Sequence, residues 1–134
     1  MAIKLLFVSL LYPIPNNISR GVFVEDHVNL MKEAGHDVRV VNPLPRMMRY
    51  LESRRSTLTG VARAPKRWNH QGTEIIIPRF TAFPGHPFPS ITRMSIASGM
   101  RAVERNLGDW RPDAIICHTL WPVATLAQRL SERW

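Results

Sequence analysis

The chain is short of three things, and each shortage removes a class of protein. It has one cysteine, Cys117, so no internal disulfide can form and too few thiolates exist for a cysteine-based zinc site. Its five histidines show no metal-ligand spacing either. Neither G-x-G-x-x-G nor G-x-x-x-x-G-K-[ST] occurs, which removes the fingerprints of a nicotinamide site and of an ATP-hydrolysing loop. Long apolar runs are also missing. The N-terminal stretch MAIKLLFVSLLYPIP is broken by Pro13 and Pro15, far short of the ~20 residues a membrane span needs. No small-residue cleavage site follows it, so it reads as a buried strand rather than a signal. A reducing, cytoplasmic setting is the expectation, with no metal and no bound cofactor.

Lysine is scarce as well. The net charge of +8 comes from 15 arginines against 3 lysines. Arginine forks suit phosphates and carboxylates, although an arginine-heavy composition also follows from genome base composition. The clustering is more telling. Arg46, Arg49, Arg54, Arg55, Arg63, Lys66 and Arg67 share one stretch with only Glu52 opposing them, and Met47, Met48, Tyr50 and Leu51 lie among them. A short basic amphipathic helix of this kind can rest on an anionic membrane through Arg46, Arg49, Arg54 and Arg55; the plainer reading is a solvated face. No aromatic platform or recognition motif points to nucleic acid.

What is present is one domain's worth of core. At 134 residues and 45% hydrophobic content, the chain buries roughly two thirds of its unfolded surface. Four apolar, β-rich segments stand out: Ile3 to Ser9, Asp37 to Asn42, Thr73 to Arg79 and Asp113 to His118. Between them lie helical stripes, namely Val24, His27, Val28 and Met31, then Ile96, Met100, Val103 and Leu107, then Val123, Leu126, Ala127 and Leu130. The first helix stops at EAGH, with Gly35 in the position of a left-handed C-cap. The proline-rich Phe80 to Ser90 predicts a non-helical loop. Strand alternating with helix predicts an α/β fold, a Rossmann-like parallel sheet with helices on both faces. The last helix closes at LSERW with no strand after it, so the expected domain is interrupted before its last strands.

In sheets of this type ligands bind beyond the carboxyl ends of the strands, where strand order reverses; for the order 3-2-1-4 that is between the first and fourth. Leu10 to Gly21 and His118 to Trp121 would face that crevice. A helix opening at Gly21 points its free amides toward it, where an anion is stabilised. On residue chemistry alone Gly21 serves a turn, Arg20 is a solvated charge and Ser19 or Asn17 caps the helix. His118, at a strand's carboxyl tip, can donate to a phosphate or hydroxyl. His27 reads as a packed residue of its helix face, His86 as a loop residue of either kind, and Cys117 as buried and inert.

KLLFVSLLYPIPNNISRGVFVEDHVNLMKEAGHDVRVVNP and, much later, RPDAIICHTLWPVATLAQRLSERW resemble the N-terminal domain of family 4 glycosyltransferases of the GT-B fold. The likeness covers about the first third and the last fifth of the chain. Pro112, Asp113 and His118 fit the family's PD-hydrophobic-hydrophobic-x-x-H pattern, with Ile116 where many members have another histidine. The resemblance implies a parent enzyme that retains configuration while moving a sugar from a nucleotide-sugar donor to a polysaccharide, lipid-linked glycan or small glycoside. It carries Gly21, Arg20 and His118 to the cleft between two domains; Arg20 and Gly21 stand where many members have a glycine pair. The donor-binding domain with its E-x7-E glutamates would be supplied in cis or by another chain, and residues 1–134 alone would be inactive. A split enzyme, and a non-enzymatic module that binds a phosphorylated ligand, are the competing readings. An open sheet edge would favour homo-oligomers.

Overall fold

In the computed structural model the described residues are 1–47, 49–54, 58–81, 89–118 and 123–133. The chain runs β1 (Lys4–Val8), α1 (Val22–Glu33), β2 (Asp37–Val41), β3 (Leu44–Pro45), two short 3-10 turns (Arg49–Arg54 and Val61–Arg63), β4 (Arg67–His70), β5 (Thr73–Ile76), β6 (Arg79–Phe80), α2 (Pro89–Ser98), α3 (Met100–Leu107), β7 (Ala114–Cys117) and α4 (Val123–Arg133). It is an α/β fold.

The main sheet has the order β4-β5-β2-β1-β7. All four segments expected to be strands are strands, and β5, β2, β1 and β7 are mutually parallel neighbours. Strand order reverses at β1, which lies between β2 and β7. The sheet is nevertheless mixed, which corrects the expectation of a purely parallel one. β4 pairs antiparallel with β5 through a two-residue turn at Gln71 and Gly72, both at positive φ, the geometry that suits the twist of a hairpin.

Continuous apolar runs are explained by burial on both faces. Leu6 and Val8 of β1 point into a core with Ile96, Val103, Leu107, Leu126 and Leu130 from α2, α3 and α4. Leu5 and Phe7 point the opposite way, into a core with Val24 and Val28 of α1. Helices therefore cover both faces, and one strand's alternation divides the molecule into two cores.

Two helical expectations change in detail. The stripe Ile96, Met100, Val103 and Leu107 is split between α2 and α3 at Gly99. A Cβ at Gly99 would lie 3.1 Å from both the Ile96 carbonyl oxygen and Pro78 Cβ, so the break lets the chain pass close against Pro78, between β5 and β6. The Phe80 to Ser90 segment is not loop throughout: Phe80 belongs to β6, and α2 begins at Pro89, where proline's missing N–H costs nothing. Residues 82–88, and with them His86, lie outside the described residues.

Helix α1 ends as expected. Gly35 has φ 94°, its N–H donates to the Lys32 carbonyl at 2.9 Å, and His36 N–H donates to the Met31 carbonyl at 3.2 Å, the paired bonds of a Schellman motif. On its flank, Lys32 Nζ donates to Thr73 Oγ1 at 2.7 Å and Glu25 Oε1 meets His70 Nε2 at 3.2 Å. These contacts fasten α1 to the β4–β5 hairpin. Among the described residues no helix is long and apolar enough to cross a membrane.

Candidate functional site

The loop from β1 to α1 turns back on itself at the carboxyl end of β1, and its backbone is held by three side chains. Ser9 Oγ donates to the Leu11 carbonyl at 2.9 Å and accepts the Leu11 N–H at 3.1 Å. Asn42, fully buried at the end of β2, donates from its amide nitrogen to the Ser9 and Leu10 carbonyls, each at 2.9 Å, in the amide orientation that satisfies both. Arg20 supplies the third hold. Its guanidinium donates to the Tyr12 carbonyl at 3.1 Å and the Leu10 carbonyl at 2.6 Å.

Arg20 is thus a structural clamp rather than a solvated charge. It is 6% exposed, and burial lowers its pKa to about 10, so it remains charged at neutral pH. The planar fork suits it to bind two carbonyls at once. Sequence reading placed it in solvent because nothing in NNISRG signals burial.

Gly21 is the N-cap of α1, at φ 65° and ψ 32°. A Cβ there would stand 2.5 Å from the Leu11 carbonyl carbon and 2.7 Å from Tyr12 N. Both the left-handed backbone and the close approach demand glycine. No side chain caps the helix; Ser19 Oγ instead bonds Asn17 Oδ1 at 3.1 Å, which corrects the capping roles expected of these two residues. The Gly21 carbonyl accepts from Val24 and Glu25 N–H at 3.0 and 3.2 Å.

His118 follows β7, and its N–H donates to the Val8 carbonyl at 3.1 Å. The backbone thereby seats it at the carboxyl ends of β1 and β7 together. Its ring stacks on Phe7, with centroids 5.6 Å apart and planes 17° apart, and meets the edge of Phe23 in the first turn of α1 at 6.4 Å. The strand tip and the helix opening expected to face one crevice do meet here; residues 119–122 lie outside the described residues.

The decisive contact was assigned to packing in the sequence. His27 Nδ1 lies 3.1 Å from His118 Nε2, and the His27 ring stands edge-on to Phe7 at 5.0 Å. His27 is half-buried, not enclosed. Its place on the apolar stripe of α1 concealed it, because position i+3 from Val24 reads as core. His118 is also half-buried. Burial first, and the charge of His27 second, lower its pKa below the usual 6.5, so at neutral pH it is an uncharged imidazole. It can donate or accept a proton there, but it supplies no cation to a phosphate.

Cys117 forms no disulfide and is half-buried rather than enclosed. Among the described residues no group of three histidine, cysteine or acidic side chains could hold a metal ion. Of the basic cluster, Arg46 Nη1 donates to Thr81 Oγ1 at 2.9 Å and Arg54 is exposed on its 3-10 turn. Arg49 lies on the same turn, and Arg55 lies outside the described residues. The described part of the cluster forms 3-10 turns rather than an amphipathic helix, and Glu52 accepts the Ala62 N–H at 3.0 Å, which ties the two turns together. That segment touches the loop: a Cβ at Gly60 would come within 2.7 Å of Asn16 Cβ.

The site therefore consists of a rigid glycine-capped helix opening, an imidazole pair and a rim of exposed apolar residues, Ile18, Val22 and Phe23. No protein-family model, curated protein or solved structure matches this chain.

Proposed function

We propose that this chain is the N-terminal, acceptor-side part of a glycosyltransferase of the Rossmann-like GT-B type, which transfers a sugar from a nucleotide-sugar donor. One observation carries the reading: a strand-order reversal at β1 brings the Gly21 helix opening and His118 to the same end of the sheet. That is where sheets of this topology bind ligands. The motifs that resemble the family fall at these two places.

Arg20 weakens the rival reading of a stand-alone phosphate-binding module, since its guanidinium already serves the Leu10 and Tyr12 carbonyls. The outer edge of β7 has no paired strand among the described residues, and β7 is the least enclosed of the parallel strands. On this proposal the sheet continues there and a donor-binding domain, in cis or from another chain, completes the cleft. Transfer needs donor and acceptor held together between both halves, so residues 1–134 alone do not catalyse it.

The exposed Ile18, Val22 and Phe23, on a chain whose two 3-10 turns carry Arg54 and Arg63, favour an amphiphilic, lipid-linked acceptor over a free polysaccharide. Amide NMR on the labelled chain tests the proposal. Nucleotide-sugars should give no saturable shifts up to about 1 mM, the affinity of roughly −4 kcal/mol left to half a site. Glycolipid acceptors in anionic micelles should move Gly21, Val22, Phe23 and His118. Micromolar binding of a nucleotide at the Gly21 amide would replace the proposal with the phosphate-binding module.

A further inference from the structure

A hydrogen bond between two neutral imidazoles contains one proton, and that count constrains both rings. His27 Nδ1 and His118 Nε2 face each other at 3.1 Å. If His118 carries the shared proton on Nε2, His27 must present a bare Nδ1 and carry its own proton on Nε2. If His27 carries it on Nδ1, His118 must present a bare Nε2 and carry its proton on Nδ1. Both rings are therefore Nε2–H, or both are Nδ1–H. The mixed combinations set two N–H groups, or two lone pairs, against each other.

The surroundings keep the pair in this arrangement. Phe7, fully buried in the core of α1, stacks under His118 and meets His27 edge-on, while Phe23 closes the third side of His118. No carboxylate is hydrogen-bonded to either ring among the described residues, so no external acid selects one tautomer. Two nitrogens remain outside the shared bond, His118 Nδ1 and His27 Nε2. Neither has a hydrogen-bond partner among the described residues, and both rings are half-buried.

We infer that His27 and His118 form a two-imidazole proton relay, with His118 Nδ1 as the entry and His27 Nε2 as the exit. Starting from the Nε2–H pair, a ligand hydroxyl gives its proton to His118 Nδ1 and keeps the electron pair of the broken O–H bond. The proton on His118 Nε2 passes to His27 Nδ1, and the proton on His27 Nε2 leaves to water. One proton has moved from hydroxyl to solvent, and both rings end neutral as the Nδ1–H pair. The chemical class of ligand is an alcohol or polyol. The inference concerns the pair itself and stands whether or not the chain belongs to a glycosyltransferase; on that proposal the hydroxyl is the acceptor's.

Nitrogen-15 NMR of the histidine rings tests it without any activity assay. At pH 8, long-range proton–nitrogen spectra of the unmodified chain should show His27 and His118 in the same tautomer. Opposite tautomers overturn the relay. Two variants follow: His27→Asn, whose amide replaces Nδ1 as a hydrogen-bonding group, and His27→Leu, which has none. His118 should keep one tautomer in the first and become a mixture in the second. Identical His118 ring shifts in all three proteins would show that His27 merely packs, and would end the inference.

Discussion

Alanine at Gly21 is expected to lower the unfolding free energy by about 2–5 kcal/mol, combining ~1–2 kcal/mol for the left-handed backbone with ~1–3 kcal/mol for overpacking. Against a total of roughly 5–15 kcal/mol for a domain of this kind, such a loss is a large share of the stability. The overpacking arises because the new methyl group would meet backbone, at 2.5 Å from the Leu11 carbonyl carbon, and backbone cannot rotate away as a side chain can. Gly35 isolates the first component. It has φ 94° but nothing within 4 Å of a built Cβ, so Gly35→Ala should cost only about 1–2 kcal/mol. Urea unfolding of both variants makes the comparison. Equal losses would show that the close approach at Gly21 contributes nothing.

Arg20→Met should cost about 2–4 kcal/mol, because a thioether cannot donate to the Tyr12 and Leu10 carbonyls, and each lost bond is worth ~1–3 kcal/mol. The loss is softened by release of a desolvated charge. Arg20→Lys should recover less than half of it, since a single ammonium cannot span two carbonyls as a guanidinium fork does. The same urea experiment reads both variants. A clamp predicts lower stability with the charge-conserving change only partly effective. If Arg20→Met were as stable as the unmodified chain yet lost affinity for anionic ligands, Arg20 would be a ligand-binding residue and the loop would be held by Ser9 and Asn42 alone.

Sequence and structure agree where apolar spacing decides the outcome. The four strand segments and the Gly35 cap were legible because burial on both faces and a positive-φ position leave marks in residue type. β4 was not legible: its hairpin turns on Gln71 and Gly72 rather than on Asn-Gly or Asp-Gly, and Trp68 and His70 alternate over too few residues to assert a strand. The division of α2 from α3 was hidden because all four stripe residues, Ile96, Met100, Val103 and Leu107, serve one core across the break. The site was half legible. Gly21 and His118 could be placed from topology, whereas the burial of Arg20 depends on a loop that folds back ten residues, and the pairing of His27 with His118 spans 91 positions. Long-range contacts of this kind write nothing into local spacing.

The first part of the loop after β1 turns its carbonyls inward. The carbonyls of Val8, Ser9, Leu10, Leu11 and Tyr12 all receive hydrogen bonds, from His118, Asn42, Arg20 and Ser9. By turning these five carbonyls inward the chain builds a stiff loop, and that stiffness fixes where the opening of α1 stands relative to the tips of β1 and β7.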